Sequence, residues 1–83
     1  MQIALPAKIA LHARPAGQFV KTASQFQAQV RISVDGKAVD AKSILAVLAL
    51  GAQGGTVLTL SAEGDDAQAA LTALAACVSG LVE

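Results

Sequence analysis

The apolar residues of this chain change period repeatedly, so a fold of only eighty-three residues has to accommodate strands and helices in alternation. Ile3, Leu5 and Ala7 alternate, which predicts a first strand over residues 2–7, with Pro6 confining it to a sheet edge or marking its end. Ala16, Phe19, Val20, Ala23 and Phe26 then recur at helical spacing, and residues 14–25 read as an amphipathic helix. Val30, Ile32 and Val34 return to a period of two, and Asp35-Gly36 provides a tight hairpin turn into a short strand over 37–40. Ser43 is a candidate N-cap for a short helix over 44–50, with Gly51 at its C′ position. Gly54-Gly55 turns the chain into a β-branched strand over 56–61. Asp65 with Gln68 has the spacing of a capping box. The last helix follows, with Ala67, Ala70, Leu71, Leu74, Val78, Leu81 and Val82 on its apolar face.

The order β-α-β-β-α-β-α gives four strands, and the first and last helices both carry long apolar stripes. A sheet of that size needs one face covered. The expected class is therefore α+β: an open-faced β-sandwich, a four-stranded antiparallel sheet covered on one face by three helices. Nineteen alanines let those helices lie close to the sheet. With no repeat, linker or low-complexity stretch, residues 1–83 read as a single domain with one modest core.

Composition excludes several functions. Six basic and six acidic residues cancel, and the only aromatic residues are Phe19 and Phe26, so there is neither a basic stripe nor a stacking platform for nucleic acid. Cys77 is the only cysteine, which rules out an internal disulfide or a cysteine metal site; within an apolar helical pattern it reads as a buried thiol. Residues 43–62 and 67–82 carry no charge, yet Gln53-Gly54-Gly55 interrupts the first stretch and the second follows a face pattern. The N-terminus lacks signal-peptide architecture. A soluble, cytoplasmic protein without membrane insertion is expected.

His12 stands just ahead of the first helix in Leu11-His12-Ala13-Arg14-Pro15-Ala16. Pro15 suits the first helical turn, where its missing N–H is no loss. A side chain at that point faces unpaired backbone N–H groups and the positive end of the helix dipole, a setting suited to an anion. If a phosphoryl group is attached to the imidazole, those N–H groups stabilise its oxygens, and Arg14 adds a charge-assisted hydrogen bond. Nucleophile, anion seat and counter-charge are then together, which is what reversible phosphoryl transfer requires. Taken alone, a histidine before a helix is more often a capping or packing residue. A metal site is disfavoured, because His12 is the only histidine and no Asp or Glu stands within twenty residues of it.

The run 11–16 with Phe19-Val20 resembles the active-site signature of HPr, the histidine-containing phosphocarrier family of the sugar phosphotransferase system. The likeness continues through Lys42-Ser43-Ile44-Leu45, Leu50-Gly51, Gly55-Thr56 and Ser61-Ala62-Glu63-Gly64-Asp65, covering nearly the whole chain. The resemblance implies a carrier and not an enzyme in its own right. Its His12 takes a phosphoryl group on Nδ1 from phosphorylated enzyme I and passes it to sugar-specific IIA components, with Arg14 beside the phosphate and Pro15 holding the helix start. It implies no cofactor, no metal and a monomer. Ser43 matches the serine that HPr kinase/phosphorylase modifies in many Gram-positive bacteria, a modification that would bring in a transcriptional regulator as partner; an N-cap alone is the other reading. The chain departs from the family at Ile9-Ala10, where the family commonly has a polar residue and a glycine.

The second helix is apolar on nearly every side. With Val47 and Leu50 turned inward, Ile44, Leu45 and Leu48 are left exposed, a patch suited to transient docking; a more deeply buried helix is the alternative. A regulatory binding protein controlled at Ser43 and a plain structural domain are the competing readings. The first has no need of the His12-Arg14 pair, and the second leaves the match around His12 unexplained.

Overall fold

Chain periodicity resolves into seven elements in a computed structural model that describes residues 1–81. They are β1 (Gln2–Ala4), α1 (Ala13–Ala23), β2 (Gln29–Val34), β3 (Lys37–Asp40), α2 (Ile44–Ala49), β4 (Val57–Glu63) and α3 (Ala67–Ser79). The strands form one antiparallel sheet in the order β1-β4-β2-β3. Ile32 lies opposite Leu60 on one side and Val39 on the other. Because strand side chains alternate between faces, Val30, Ile32, Leu58 and Leu60 all point to the helical side and are buried there. Gln29, Arg31, Thr59 and Ser61 face away and are exposed. Phe19, Ala16 and Ala23 of α1, Val47 of α2, and Ala70, Leu74 and Val78 of α3 complete the core. The architecture is the expected α+β open-faced sandwich.

Several boundaries move for identifiable reasons. Pro6 ends β1 early: pairing with β4 stops at Ala4 opposite Val57, and Leu5 adds one further bond, its N–H to the Thr56 carbonyl at 2.9 Å. The hairpin turn is as expected, with Asp35 and Gly36 at φ +52° and +81°. Strand β4 starts one residue later than expected and runs on to Glu63, because β2 keeps pairing with it as far as Gln29 opposite Glu63. Cys77 is half-buried at the edge of the core and not enclosed by it. Val82, expected on the face of the last helix, lies outside the described residues.

The capping box does not form. Asp66, not Asp65, is the N-cap of α3, and its side chain makes no cap bond. The carboxylate is used across the fold, with Oδ2 accepting the Gln27 N–H and Oδ1 the Ala28 N–H, both at 2.8 Å. Gln68 bonds along its own helix to Thr72. Gly64 makes this approach possible, since at φ +138° a Cβ there would lie 2.9 Å from Ala28 Cα. Lys42 Nζ donates to the Phe26 carbonyl at 2.7 Å, so the loop between α1 and β2 is held from two sides.

Two outcomes follow. Leu74 has no exposed surface, so Leu74→Ala lowers the unfolding free energy by about 2–5 kcal/mol in urea titration. The Gln27 N–H, aided by those of Ala28 and Asp66 itself and by the Lys42 charge, holds the Asp66 carboxyl below the usual carboxylate range against the opposing pull of desolvation. A carboxyl with a depressed folded value stabilises fully above its unfolded value, about pH 4, and loses that contribution as pH falls through the folded one. Asp66→Asn therefore lowers Tm at neutral pH, and the gap from the unsubstituted protein closes as the pH is taken down through that window.

Candidate functional site

Helix α1 begins at the surface and runs into the core. His12 is its N-cap, in extended backbone at φ −79° and ψ −173°, and makes no side-chain cap bond. Its main-chain N–H donates to the Ala10 carbonyl at 2.9 Å, and its carbonyl accepts the Ala16 N–H at 2.8 Å. The imidazole is therefore outside the hydrogen-bonding of the helix start, and His12, Ala13 and Arg14 are all exposed. Among the described residues the N–H groups of Ala13 and Arg14 have no acceptor, and Pro15 has no N–H to offer. The Arg14 guanidinium also has no hydrogen-bond partner among the described residues, and stands two residues from His12 on the first turn.

Burial on both sides fixes this exposed start. Leu11 is buried before His12, and Pro15, Ala16 and Phe19 are buried after it. Leu11 donates its N–H to the Ala52 carbonyl at 2.9 Å, tying the loop to the segment that leaves α2. Ile9, where a polar residue stands in the resembled family, packs its side chain against the core. Ala10 does not need a glycine's freedom, since Asp35 is the only non-glycine among the described residues with positive φ.

Ser43 caps α2 as expected, its Oγ accepting the Ala46 N–H at 3.3 Å. Gly51 follows the helix at φ +63°, its N–H donating to the Leu48 carbonyl at 3.1 Å. Val47 is buried, while Ile44 is 37% and Leu45 78% exposed. Leu48 departs from the expectation: it is half-buried against the core and contributes only an edge to the patch. On the α2 helix Leu48 lies about 100° round from the buried Val47, which brings it to the rim of the core and not onto the fully exposed face. The exposed apolar surface is thus narrower, and Leu45 is its centre. No group of three His, Cys, Asp or Glu residues is placed to hold a metal among the described residues. Two residues acquire a place here that pattern reading did not give them. Ala52 supplies the carbonyl that fastens the histidine loop, and Gly54 lies against the backbone of Ala7 and Ile9.

A family model described as "PTS HPr component phosphorylation site" matches residues 1–79. The chain is 42% identical over 80 residues to the phosphocarrier protein HPr of Vibrio cholerae, covering 96% of this chain and 94% of that one. Its structure is similar to the crystal structure of an HPr from Thermoanaerobacter tengcongensis, with TM-score 0.91 and 46% identity over 95% of this chain and 89% of that one. It is also similar to the crystal structure of the Bacillus subtilis catabolite-repression protein Crh, a dimer with a swapped domain, with TM-score 0.80 and 43% identity over 98% of this chain and 93% of that one.

Removing the cap hydroxyl in Ser43→Ala lowers unfolding free energy by about 1 kcal/mol, measured by urea titration. Leu45→Ser, at a position with little to lose on folding, changes it by less than about 0.5 kcal/mol in the same measurement.

Proposed function

The chain belongs to the HPr family and is a phosphocarrier of the phosphotransferase system, and from that premise we propose that His12 takes a phosphoryl group from phosphorylated enzyme I and donates it to sugar-specific IIA components. The observation that carries this reading is the free imidazole of His12 at a helix start whose Ala13 and Arg14 N–H groups have no acceptor among the described residues.

The unprotonated imidazole nitrogen, Nδ1 in this reading, offers its lone pair to phosphorus. A P–N bond forms as the donor's bond to phosphorus breaks, and the donor keeps that electron pair. The two N–H groups, the α1 dipole and the Arg14 guanidinium stabilise the new phosphoryl oxygens. Pro15 keeps the helix start in place with φ already helical. Transfer onward is the same exchange in reverse, so the protein positions groups and offsets charge without adding chemistry of its own. Ile44 and Leu45, with Leu48 at the edge, form the apolar part of the docking surface, since a small exposed patch suits a partner that must leave again. The carrier works in the cytoplasm as a monomer, without a cofactor, and as one domain over residues 1–83.

A second output is supported by the likeness to Crh. In it HPr kinase/phosphorylase phosphorylates Ser43, and the product binds a transcriptional regulator. A phosphate at the cap keeps an acceptor for the α2 N–H groups and sets about two negative charges beside Ile44 and Leu45, which repels acidic partners and recruits basic ones.

Incubation with enzyme I and labelled phosphoenolpyruvate tests the main reading. Acid-labile, alkali-stable label that is lost in His12→Ala is expected, and absence of label on the unsubstituted protein contradicts it. Arg14→Ala is expected to slow labelling by about 10- to 100-fold, the loss of one hydrogen bond to a charged group of about 1.5–3 kcal/mol.

A further inference from the structure

We propose that Gly54 is a positioning residue for His12, because its missing Cβ lets the segment after α2 lie against the loop that delivers the histidine; the proposal rests on His12 being the phosphoryl acceptor. The two segments, 5–11 and 52–56, are fastened to one another at both ends. At one end the Leu5 N–H donates to the Thr56 carbonyl at 2.9 Å and the Gly55 N–H to the Leu5 carbonyl at 3.2 Å. At the other the Leu11 N–H donates to the Ala52 carbonyl at 2.9 Å. Between these fastenings the loop turns on itself, the Ile9 N–H meeting the Pro6 carbonyl at 3.0 Å.

Gly54 lies within that span. A Cβ there would collide with the Ala7 carbonyl oxygen and stand 2.8 Å from its carbon and 3.1 Å from the Ile9 nitrogen. All three are backbone atoms, so no side chain can swing aside to make room. The neighbouring glycines differ in kind. Gly51 and Gly55 have φ of +63° and +82°, with nothing within 4 Å of a Cβ, so they are needed for conformation. Gly54 has ordinary φ and is needed for space. A methyl group at 54 has to push Ala7 to Ile9 outward as a body, and only Ala10 and Leu11 separate that body from His12. The displacement is taken up in the Leu11–Ala52 bond and in the backbone of His12. The site thus depends on contact between two main chains, in a loop whose Ile9 side chain is committed to the core.

Phosphoramidate, a small phosphoryl donor, tests this without partner docking. The lone pair of the histidine nitrogen forms the new P–N bond as the donor's P–N bond breaks and ammonia leaves. At a temperature where circular dichroism finds both proteins folded, Gly54→Ala is expected to form phosphohistidine about 10- to 100-fold more slowly, as followed by phosphorus NMR, and to exchange its Leu11 amide faster. A merely structural glycine would lower Tm and leave the folded protein's rate unchanged, so a rate within twofold of the unsubstituted protein overturns the proposal. If the alanine prevents folding, the unsubstituted protein decides: its Leu11 amide is expected to exchange at least about tenfold more slowly than that of Ala13, and equal exchange overturns the proposal. Absence of phosphohistidine in the unsubstituted protein overturns the reading of His12 itself, whereas its presence with an equal rate in Gly54→Ala overturns the positioning role alone.

Discussion

The unpaired N–H groups at the first turn of α1 are the constraint around which this molecule is arranged. A helix end without acceptors is tolerable in water and costly when buried, so the start of α1 has to stay at the surface. The rest of α1 has to be buried, because Phe19, Ala16 and Ala23 form one side of a small core. The chain reconciles these needs residue by residue: Leu11 buried, His12 to Arg14 exposed, Pro15 and Ala16 buried. A histidine held between two buried anchors keeps its main chain fixed while its side chain stays free. That combination suits the reversible loading and unloading of a phosphoryl group proposed for His12.

The loop between α1 and β2 provides an internal comparison. There the N–H groups of Gln27 and Ala28 are also beyond the reach of regular pairing, and the Asp66 carboxylate occupies them, one oxygen to each at 2.8 Å. The depressed pKa of that carboxyl is the electrostatic counterpart of the arrangement. At the His12 end a similar pair of backbone donors has no resident anion among the described residues. The fold therefore uses paired main-chain N–H groups in two ways: as a permanent seat that ties α3 to the loop after α1, and as an open pair beside His12, the proposed phosphoryl acceptor. The two pairs differ in stability role for that reason, one closing the fold and the other left without an acceptor among the described residues.

Most of the architecture was legible in the sequence, because burial on one sheet face imposes its period on strands and helices alike. The N-cap position of Ser43, the Asp35-Gly36 turn and the C′ glycine at 51 follow from local backbone chemistry, which a sequence carries directly, whereas α1, expected over 14–25, starts one residue earlier with His12 as its N-cap. What was not legible depends on tertiary neighbours. Asp65-Gln68 has the spacing of a capping box, yet the cap falls on Asp66 and its carboxylate is claimed by residues 38 and 39 positions away. Leu48 and Cys77 sit at the rim of the core, where exposure depends on how neighbouring helices lie and not on spacing within one helix. Gly54 reads as a turn residue, since no pattern in the chain announces that another backbone passes beside it. The departure at Ile9-Ala10 is of the same kind: it becomes intelligible once Ile9 is seen packed, half-buried, against the core.

If His12 is the phosphoryl acceptor, its phosphoryl group is received by the backbone at the start of α1. The most direct measurement is the change in amide proton and nitrogen shifts of the isotopically labelled protein when His12 is phosphorylated. The Ala13 and Arg14 amides are expected to move furthest downfield, as donors to a dianion do, while the Gln27 and Ala28 amides, already held by Asp66, stay in place. Phosphorylation of His12 that leaves the Ala13 and Arg14 amides unmoved would contradict it.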